Sequence, residues 1–338
     1  KLRSDRSVWD MVCKFLSHDK LRQAFSIQPL LVGGSPFDTT SIYGLIHYLE
    51  RAYGIYFAMG GTGALVEQLK QLMLRQGITI QTGATVSQIL TSQTKVSGVR
   101  LETGEVITAD YTVFNGDPMH LYRELLPQNR IPFATKIKRD YSKLSMGLYV
   151  LFFGTDRQYP DVAHHTIWMG QRYKDLLDDI FHRQILADDF SLYVHRPTAT
   201  DPSFAPNGHD SFYVLAPVPH QGARIDWTIE EPKLRARIID ALDKTMLPEL
   251  KKHLRSPFSM TPEDFAKDYL SYQGAGFSIA PLFTQSAWFR FHNKAEGFEN
   301  LFLAGAGTHP GAGMPGVISS AKVVEQLVKE ATTNTAFV

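Results

Sequence analysis

The stretch that decides the fold runs from Asn300-Leu301-Phe302-Leu303-Ala304 into Gly305-Ala306-Gly307-Thr308-His309-Pro310-Gly311-Ala312-Gly313-Met314-Pro315-Gly316. Its first five residues predict a buried strand, and a helix is predicted after the glycines from the inward stripe Val317, Ala321, Val324 and Val328. A strand, a glycine-rich loop and a helix can bind phosphate, because the helix N-terminus offers unpaired N–H groups and the positive end of its dipole. Pro310 stands where the third glycine of a dinucleotide fingerprint is due, so the pattern alone leaves open a tight turn before a packed helix.

Upstream, strands and helices alternate at the spacing of an α/β layer. The glycines from Gly60 to Gly63 precede a helix that ends at Gly77, with Leu65, Leu69, Leu72 and Met73 on its apolar face. Strands are predicted at 78–80, 86–101, 106–107 and 111–114. Between 121 and 283 the pattern changes: strands at 144–153, 190–195 and 211–216 alternate with helices at 174–181 and 231–246. The fold class predicted is α/β with an inserted α+β domain.

The N-terminal region predicts two helices, at 7–25 and 42–53. Residues 23–37 between them carry no charge and include Phe25, Ile27, Leu30 and Leu31. Two interpretations stay open: a buried loop between packed helices, or an apolar lid that dips into a membrane.

Composition excludes several classes of protein. The 338 residues have a formal net charge of +1, which gives no electrostatic case for a nucleic-acid partner. The single cysteine, Cys13, excludes an intrachain disulfide and fits a reducing compartment. No uncharged apolar run reaches the roughly 20 residues that span a bilayer, although binding to a membrane surface stays open. His164-His165 suggests a metal, but no cysteine or carboxylate stands at ligand spacing, so no metal site is predicted.

The run 302–317 resembles the C-terminal FAD signature of bacterial-type phytoene desaturases, above all in Thr308-His309-Pro310-Gly311. Other segments are similar to the same family: 30–37, 60–65, 84–89, 163–166, 189–195, 213–220 and 285–290. The similarity extends from about Leu2 to Val328. Family members open with a Gly-x-Gly-x-x-Gly turn that binds the ADP half of FAD, and no such run occurs in this sequence.

The resemblance implies an FAD-binding, amine-oxidase-like fold in which the N-terminal ADP-binding motif is absent. It also implies four parts: a helical lid or membrane-facing segment at 1–56, FAD-binding parts at 57–118 and 285–330, and a substrate-binding domain at 119–284. The FAD contacts it implies are Gly60, Gly61, Thr62, Val86, Gly305, Gly307, Thr308, Gly311, Gly313, Met314, Pro315, Gly316 and Val317.

The function implied by the resemblance is desaturation of phytoene towards lycopene by hydride transfer to flavin, with a quinone or oxygen as electron acceptor. The protein is expected in the cytoplasm, on the membrane periphery. His309 is a weak candidate for flavin contact or proton removal, with loop ordering as the alternative. Arg290 either steadies reduced flavin or a quinone, or is a surface arginine stacked on an aromatic ring.

Three alternatives stay open at this point. The chain can be a related carotenoid desaturase or isomerase. It can be a flavin amine oxidase, for which an aromatic cage around an amine is expected. It can also be a fragment without enzymatic activity that docks on membranes or on longer partners.

Overall fold

The computed structural model describes residues 3–335, and the side chains of residues 3–333. Lys1 and Leu2, with which the predicted N-terminal segment begins, lie outside the described residues. The helices are α1 Val8–Cys13, α2 Asp19–Ser26, α3 Leu45–Tyr53, α4 Gly61–Arg75, α5 Pro118–His120, α6 Phe133–Tyr141, α7 Tyr173–Asp178, α8 Trp227–Lys244, α9 Leu250–His253, α10 Pro262–Asp268 and α11 Met314–Thr335. The strands are β1 Val86–Ser92, β2 Lys95–Leu101, β3 Val106–Thr108, β4 Thr112–Phe114, β5 Gly147–Thr155, β6 His165–Trp168, β7 Leu192–His195, β8 Asp210–Val218, β9 Leu254–Met260 and β10 Leu301–Leu303.

The chain folds into two compact units. The first takes the described residues of Lys1–Tyr48, Gly83–Met146 and Phe265–Val338, and the second takes Leu49–Thr82 and Gly147–Asp264. These units cut across the four parts predicted above, which concern function and stay predictions. The mixture of helices and sheets agrees with the predicted fold class.

In the first unit, β10 pairs in parallel with β4, and Phe302 lies opposite Val113. A separate antiparallel sheet runs in the order β1-β2-β3. Strand β10 is fully buried between two apolar clusters. One contains Leu301 and Leu303, and the other joins Phe302 to Val324 of α11.

In the second unit, a five-stranded antiparallel sheet runs in the order β6-β7-β8-β5-β9. Helix α8 begins after Asp226, whose carboxylate accepts a hydrogen bond from the Thr228 N–H. Its residues Leu234, Ile238 and Leu242 belong to the same apolar cluster as β5, β7 and β8. These residues lie on the face predicted from their spacing.

Several predicted elements are wrong in detail. No strand forms at 78–80, and Ile78 and Ile80 are exposed, because no described strand pairs with them. The predicted helix 7–25 is broken into α1 and α2, and Phe15 is exposed rather than packed inward. On α11, Ala321 faces solvent, whereas Ser320 is buried because it accepts a hydrogen bond from the Gly305 N–H.

The uncharged segment 23–37 is partly buried and partly exposed to solvent. Ile27 and Val32 are buried, whereas Phe25 and Leu31 are nearly half exposed. Part of the segment is therefore buried, and contact of its exposed part with a membrane stays a prediction. None of the described helices has the length and apolar character that crossing a bilayer requires.

Candidate functional site

The glycine-rich loop after β10 is fixed at its start by hydrogen bonds. The Gly305 N–H donates to Ser320 Oγ at 2.9 Å, and Asn115 Nδ2 donates to the Ala304 carbonyl at 3.1 Å. Gly305 has a φ of +119°, a conformation that glycine adopts without strain. The fully buried Thr308 donates its hydroxyl to the Gly305 carbonyl at 2.9 Å. The loop therefore leaves the strand in one defined direction.

Two glycines of the loop are required by close packing. A Cβ on Gly307 would lie 2.4 Å from Cδ of Pro118 and 2.7 Å from Oγ of Ser278. A Cβ on Gly316 would lie 2.6 Å from the carbonyl oxygen of Gly311. Glycine at these two positions lets the loop pack closely against Pro118 and Ser278 and against the first turn of α11. Both glycines are therefore required for packing of the fold.

Gly311 and Gly313 are less crowded, because a Cβ at either position would meet its neighbours only at ordinary van der Waals distance. A Cβ on Gly311 would have the Tyr43 hydroxyl, 3.6 Å away, as its nearest neighbour, and a Cβ on Gly313 would have Val32 at 3.7 Å. Both residues have positive φ, and Met314, at the N-terminus of α11, is exposed. Gly311 is buried and Gly313 is half-buried, so it is the helix N-terminus at Met314 that faces solvent, an arrangement that fits an anionic group.

Arg290 supports this loop from within the first unit. Its side chain is 1% exposed and donates hydrogen bonds to the carbonyls of Ala306, Ile279 and Gln285, the shortest being 2.6 Å to Ala306. Burial lowers the pKa of the guanidinium, an effect that Tyr43 and Asp117 oppose. Arg290 is thus a buried positioning residue, and the alternative of a surface arginine stacked on an aromatic ring is wrong.

The exposed neighbours of Arg290 show why that alternative fails. Trp288 is 74% exposed and Phe289 is 50% exposed. Trp288 makes its ring contact with His292, at 4.7 Å between centroids. The pair of aromatic residues before Arg290 therefore turns outward while the arginine turns inward.

His309 orders the loop through its backbone. Its N–H donates to the Phe291 carbonyl at 2.9 Å, and its carbonyl accepts from Asn293 Nδ2 at 2.9 Å. The ring nitrogen Nδ1 is buried and has no hydrogen-bond partner among residues 3–333. The backbone of His309 therefore orders the loop without a hydrogen bond from Nδ1. This nitrogen is available to bind a ligand.

The turn from Gly60 to Thr62 lies in the second unit and is held there by residues far along the chain. The Gly60 N–H donates to Oδ2 of Asp201 at 2.7 Å. Gly61 has a φ of +74°, and a Cβ on it would lie 2.7 Å from the ring of Phe204. Hydrogen bonds from Ser203 and Gly60 hold the pKa of the Asp201 carboxyl below its ordinary value. Sequence reasoning missed Asp201, because nothing in its spacing relates it to the glycines.

Two further residues of interest lie in the first unit: Val86, which was a predicted FAD contact, and Asp117, which was not predicted. Val86 begins β1 and pairs with Leu101 of β2. Asp117 binds three groups. Its Oδ1 accepts from Ser278 Oγ at 2.7 Å and from the Met119 N–H at 3.0 Å, and its Oδ2 accepts from the Tyr272 N–H at 2.9 Å. An Asp-Pro pair before a helix is an N-cap signal that could have revealed it.

The histidine pair acquires a third member in the structure. His195, at the end of β7, lies opposite His165 of β6, and the ring centroids of His164 and His195 are 4.7 Å apart. Burial, with a smaller contribution from the two neighbouring imidazoles, lowers the pKa of His195 to about 4. Sequence reasoning looked for a partner near residues 164–165 and missed a histidine that only the strand pairing brings there.

The first unit thus combines a parallel strand pair with a glycine loop that leads to a helix N-terminus. The family described as flavin containing amine oxidoreductase matches residues 3–324. The chain belongs to this family, and membership implies a flavin cofactor.

Within the family the chain is similar to bacterial phytoene desaturases. It is 46% identical, over 98% of its length, to the lycopene-forming phytoene desaturase of Pantoea ananas, of which it covers 67%. It is 43% identical, over 98% of its length, to the neurosporene-forming phytoene desaturase of Rhodobacter capsulatus, of which it covers 64%. The chain therefore spans about two thirds of the length of these relatives.

Solved structures agree on the fold. An oxidoreductase from Methanosarcina mazei matches with a TM-score of 0.66 at 16% identity, over 95% of this chain and 68% of that one. Cyclohexylamine oxidase from Brevibacterium oxydans matches with a TM-score of 0.56 at 13% identity, over 96% of this chain and 68% of that one. At these identities the likeness concerns the fold alone.

Proposed function

We propose that this chain is the greater part of an FAD-dependent oxidoreductase that desaturates phytoene towards lycopene. The observation that carries the proposal is the similarity to lycopene-forming phytoene desaturases, 46–47% identity over 98% of the chain. The loop and helix after β10 support it, because they present an exposed helix N-terminus that suits an anionic cofactor. The flavin amine oxidase alternative is not favoured by these relatives.

In the proposed reaction the cofactor and the polyene carry most of the chemistry. Flavin, when bound, would supply an acceptor for the hydride of a saturated carbon next to a polyene, and the accompanying proton would leave the neighbouring carbon. The polyene delocalises the developing positive charge, so the protein is required chiefly to orient two apolar partners and to exclude water.

The residues of the first unit have distinct roles in this proposal. The backbone at Gly311 and Gly313 and the N-terminus of α11 hold the anionic part of FAD, because the helix dipole favours negative charge there. Arg290 keeps the loop in place through the Ala306 carbonyl. His309 Nδ1, buried and without a partner in the described chain, is the atom that contacts the cofactor or accepts the proton.

The remaining predicted contacts are part of the same proposal. They are Gly60, Gly61, Thr62, Val86, Gly305, Gly307, Thr308, Met314, Pro315, Gly316 and Val317. By the same proposal, 57–118 and 285–330 bind FAD, 119–284 bind the carotenoid, and 1–56 form the membrane-facing segment. The electrons pass to a quinone or to oxygen.

We also propose that the protein acts in the cytoplasm, at the membrane surface, where a water-insoluble carotenoid is dissolved. In the first unit, Phe15 is 80% exposed, and Phe25 and Leu31 are nearly half exposed. Exposed lysines, Lys14 and Lys20, accompany them. Apolar side chains beside basic ones suit the surface of an anionic bilayer, where each contributes to binding.

The experiment that tests the function uses the purified chain with added FAD and liposomes that contain phytoene. Conversion of the colourless substrate into coloured carotenoids, identified by chromatography and dependent on FAD, is the expected result. Hydrogen peroxide release that depends on an added amine, without any carotenoid product, would overturn the proposal. A flavin spectrum recorded on the same sample separates failure to bind FAD from failure to react.

A further inference from the structure

Two histidines face each other across the strand pair of β6 and β7. His165 and His195 are directly paired residues of this antiparallel ladder. Side chains at such positions have Cβ atoms about 4.5–5.5 Å apart, within reach of one shared ligand. Their Nδ1 atoms lie 3.5 Å from each other. Two nitrogens bound to one tetrahedral zinc ion, each about 2.0–2.1 Å from it, are about 3.3 Å apart.

His164 brings a third imidazole to the same place. Its carbonyl accepts a hydrogen bond from the Arg196 N–H at 2.9 Å, and its ring centroid lies 4.4 Å from that of His165. Its Nδ1 is bonded to the hydroxyl of Thr200, which leaves Nε2 for another ligand. That Nε2 is buried and lacks a hydrogen-bond partner among the described residues. A buried nitrogen without a partner calls for an explanation, and a metal ion supplies one.

The surroundings are those of a metal site. One ligating atom from each histidine can be chosen so that all three lie within 4.8 Å of one another. The Tyr193 hydroxyl lies 2.5 Å from Nδ1 of His165 and 3.3 Å from Nδ1 of His195, so it adds an oxygen beside the three nitrogens. Thr200 orients His164 from outside, as the second shell of a metal ligand does.

The cluster is covered on one side and open on the other. The ring of Phe57 lies 4.5 Å from that of His164, and the ring of Tyr213 stacks on His195 at 4.5 Å. His165 is exposed and gives an ion a route in from solvent. The aromatic rings shield one side of the cluster from water, which favours firm binding of an ion. The exposed His165 on the other side lets the ion enter from solvent.

We propose that His164, His165 and His195 bind one divalent transition-metal ion, of which Zn²⁺ is the representative, with Tyr193 and Thr200 beside the ligands. Imidazole nitrogen is a ligand that zinc and cobalt share. The bound ion ties the start of β6, and the residue before it, to the end of β7 within the second unit. This proposal stands independently of the flavin chemistry.

The test uses the whole chain, purified without a polyhistidine tag and stripped with a chelator. Titration calorimetry with ZnCl₂ should give one equivalent per chain, and CoCl₂ should produce the visible absorption of a low-symmetry cobalt site. His164→Gln and His195→Gln should each weaken binding at least 10-fold. Thr200→Val should weaken it about 10–100-fold, as the loss of an outer-shell partner does. The matched control is His209→Gln, whose ring hydrogen-bonds to the Asn207 carbonyl outside the cluster, and it should bind like the parent.

A second measurement guards against variants that unfold. Saturating Zn²⁺ should raise the melting temperature of the parent chain and of His209→Gln, because a ligand that binds the folded state stabilises it. At the same Zn²⁺ concentration it should raise that of His164→Gln less, even where the metal-free variant melts like the parent. Absence of stoichiometric uptake by the parent, or unchanged affinity in His195→Gln, would overturn the proposal.

Discussion

At the scale of single residues, the buried side chain of Arg290 holds several backbone segments together. Its guanidinium is enclosed, and it donates to three backbone carbonyls that connect the loop at Ala306 with Ile279 and Gln285. Lysine cannot replace this fork of donors, because its ammonium is a point charge on a flexible stem.

Arg290→Met should therefore destabilise the chain by about 3–5 kcal/mol, since it leaves buried carbonyls without donors. Urea unfolding, followed by circular dichroism, measures the effect. The matched control is Arg130→Met, because Arg130 is exposed on the same unit, and it should change stability by no more than about 0.5 kcal/mol. Equal midpoints for the two variants would contradict the positioning role.

Met314 permits a test of cofactor binding that spares the fold. It is 52% exposed at the N-terminus of α11, so Met314→Glu adds a carboxylate where the helix dipole tolerates it. The same carboxylate repels an anionic cofactor at short range. We expect the affinity for FAD, measured by flavin fluorescence titration, to fall at least 10-fold without loss of thermal stability.

The control for this variant is Ile318→Glu. Ile318 lies one turn further along the helix and is equally exposed, at 53%. It has left the first turn, to which the dipole effect is confined. FAD affinity that falls equally in both variants would show that general negative charge, and not the helix N-terminus, is responsible.

At the scale of elements, Glu231 links helix α8 to the sheet of the second unit. Its carboxylate accepts hydrogen bonds from Tyr149 of β5 at 2.9 Å and from Ser259 of β9 at 2.7 Å, and it pairs with Arg235. Burial raises the pKa of this carboxyl, but the hydrogen bonds and the arginine together outweigh burial and lower it.

The sign of the pH dependence follows from that lowered pKa. The contribution of Glu231 to stability is present above the ordinary pKa of a glutamate, about 4.3, and is lost as the pH falls through the lower value of the folded state. Glu231→Gln should cost about 2 kcal/mol at pH 7, and its deficit relative to the parent should shrink in acid. Urea unfolding at pH 7 and near pH 3 measures both, and the exposed Glu263→Gln serves as control. A deficit that is constant with pH would show that the carboxylate charge is irrelevant.

Elements with strong local signals were predicted well. Strand β8 alternates buried and half-buried residues, and the apolar stripe of α8 is buried as its spacing requires. Strand β10 and the helix after it were also found, because the glycines mark where one ends and the other begins. The prediction of a strand at 78–80 was wrong, because alternating residues form a strand only where a neighbouring strand pairs with them.

The candidate site was predicted only where it is contiguous in sequence. The loop glycines were identified from their run, but the sequence does not distinguish Gly316, which close packing requires, from Gly311, where a Cβ would meet its neighbours at ordinary contact distance. Asp201 and His195 were missed because they reach their partners through contacts with distant parts of the chain. Long-range pairing of this kind is decided by the folded sheet and not by local spacing.

At the scale of the whole molecule, the proposed membrane contact depends on the exposed apolar residues of the N-terminal region. Phe15→Glu combined with Leu31→Glu should reduce co-flotation with liposomes of anionic lipid several-fold, because each change removes buried apolar area and adds repulsion. The comparison is flotation of parent and variant at equal protein concentration.

The control for flotation places the same charges elsewhere on the first unit. Phe133 and Tyr141, at the two ends of α6, are 78% and 82% exposed. Phe133→Glu combined with Tyr141→Glu should float like the parent. If the parent chain itself stays in the soluble fraction, the proposed membrane-facing segment is contradicted.

The outward position of Trp288 has a spectroscopic consequence. Its indole is in water, two residues from the arginine that supports the glycine loop. Indole emission overlaps flavin absorption, so excitation energy passes from Trp288 to any flavin docked nearby and the emission is quenched. The deeply buried Trp227 of the second unit emits from an apolar environment and at shorter wavelength. The chain thus has a native fluorophore with which occupancy can be followed in real time without a dye.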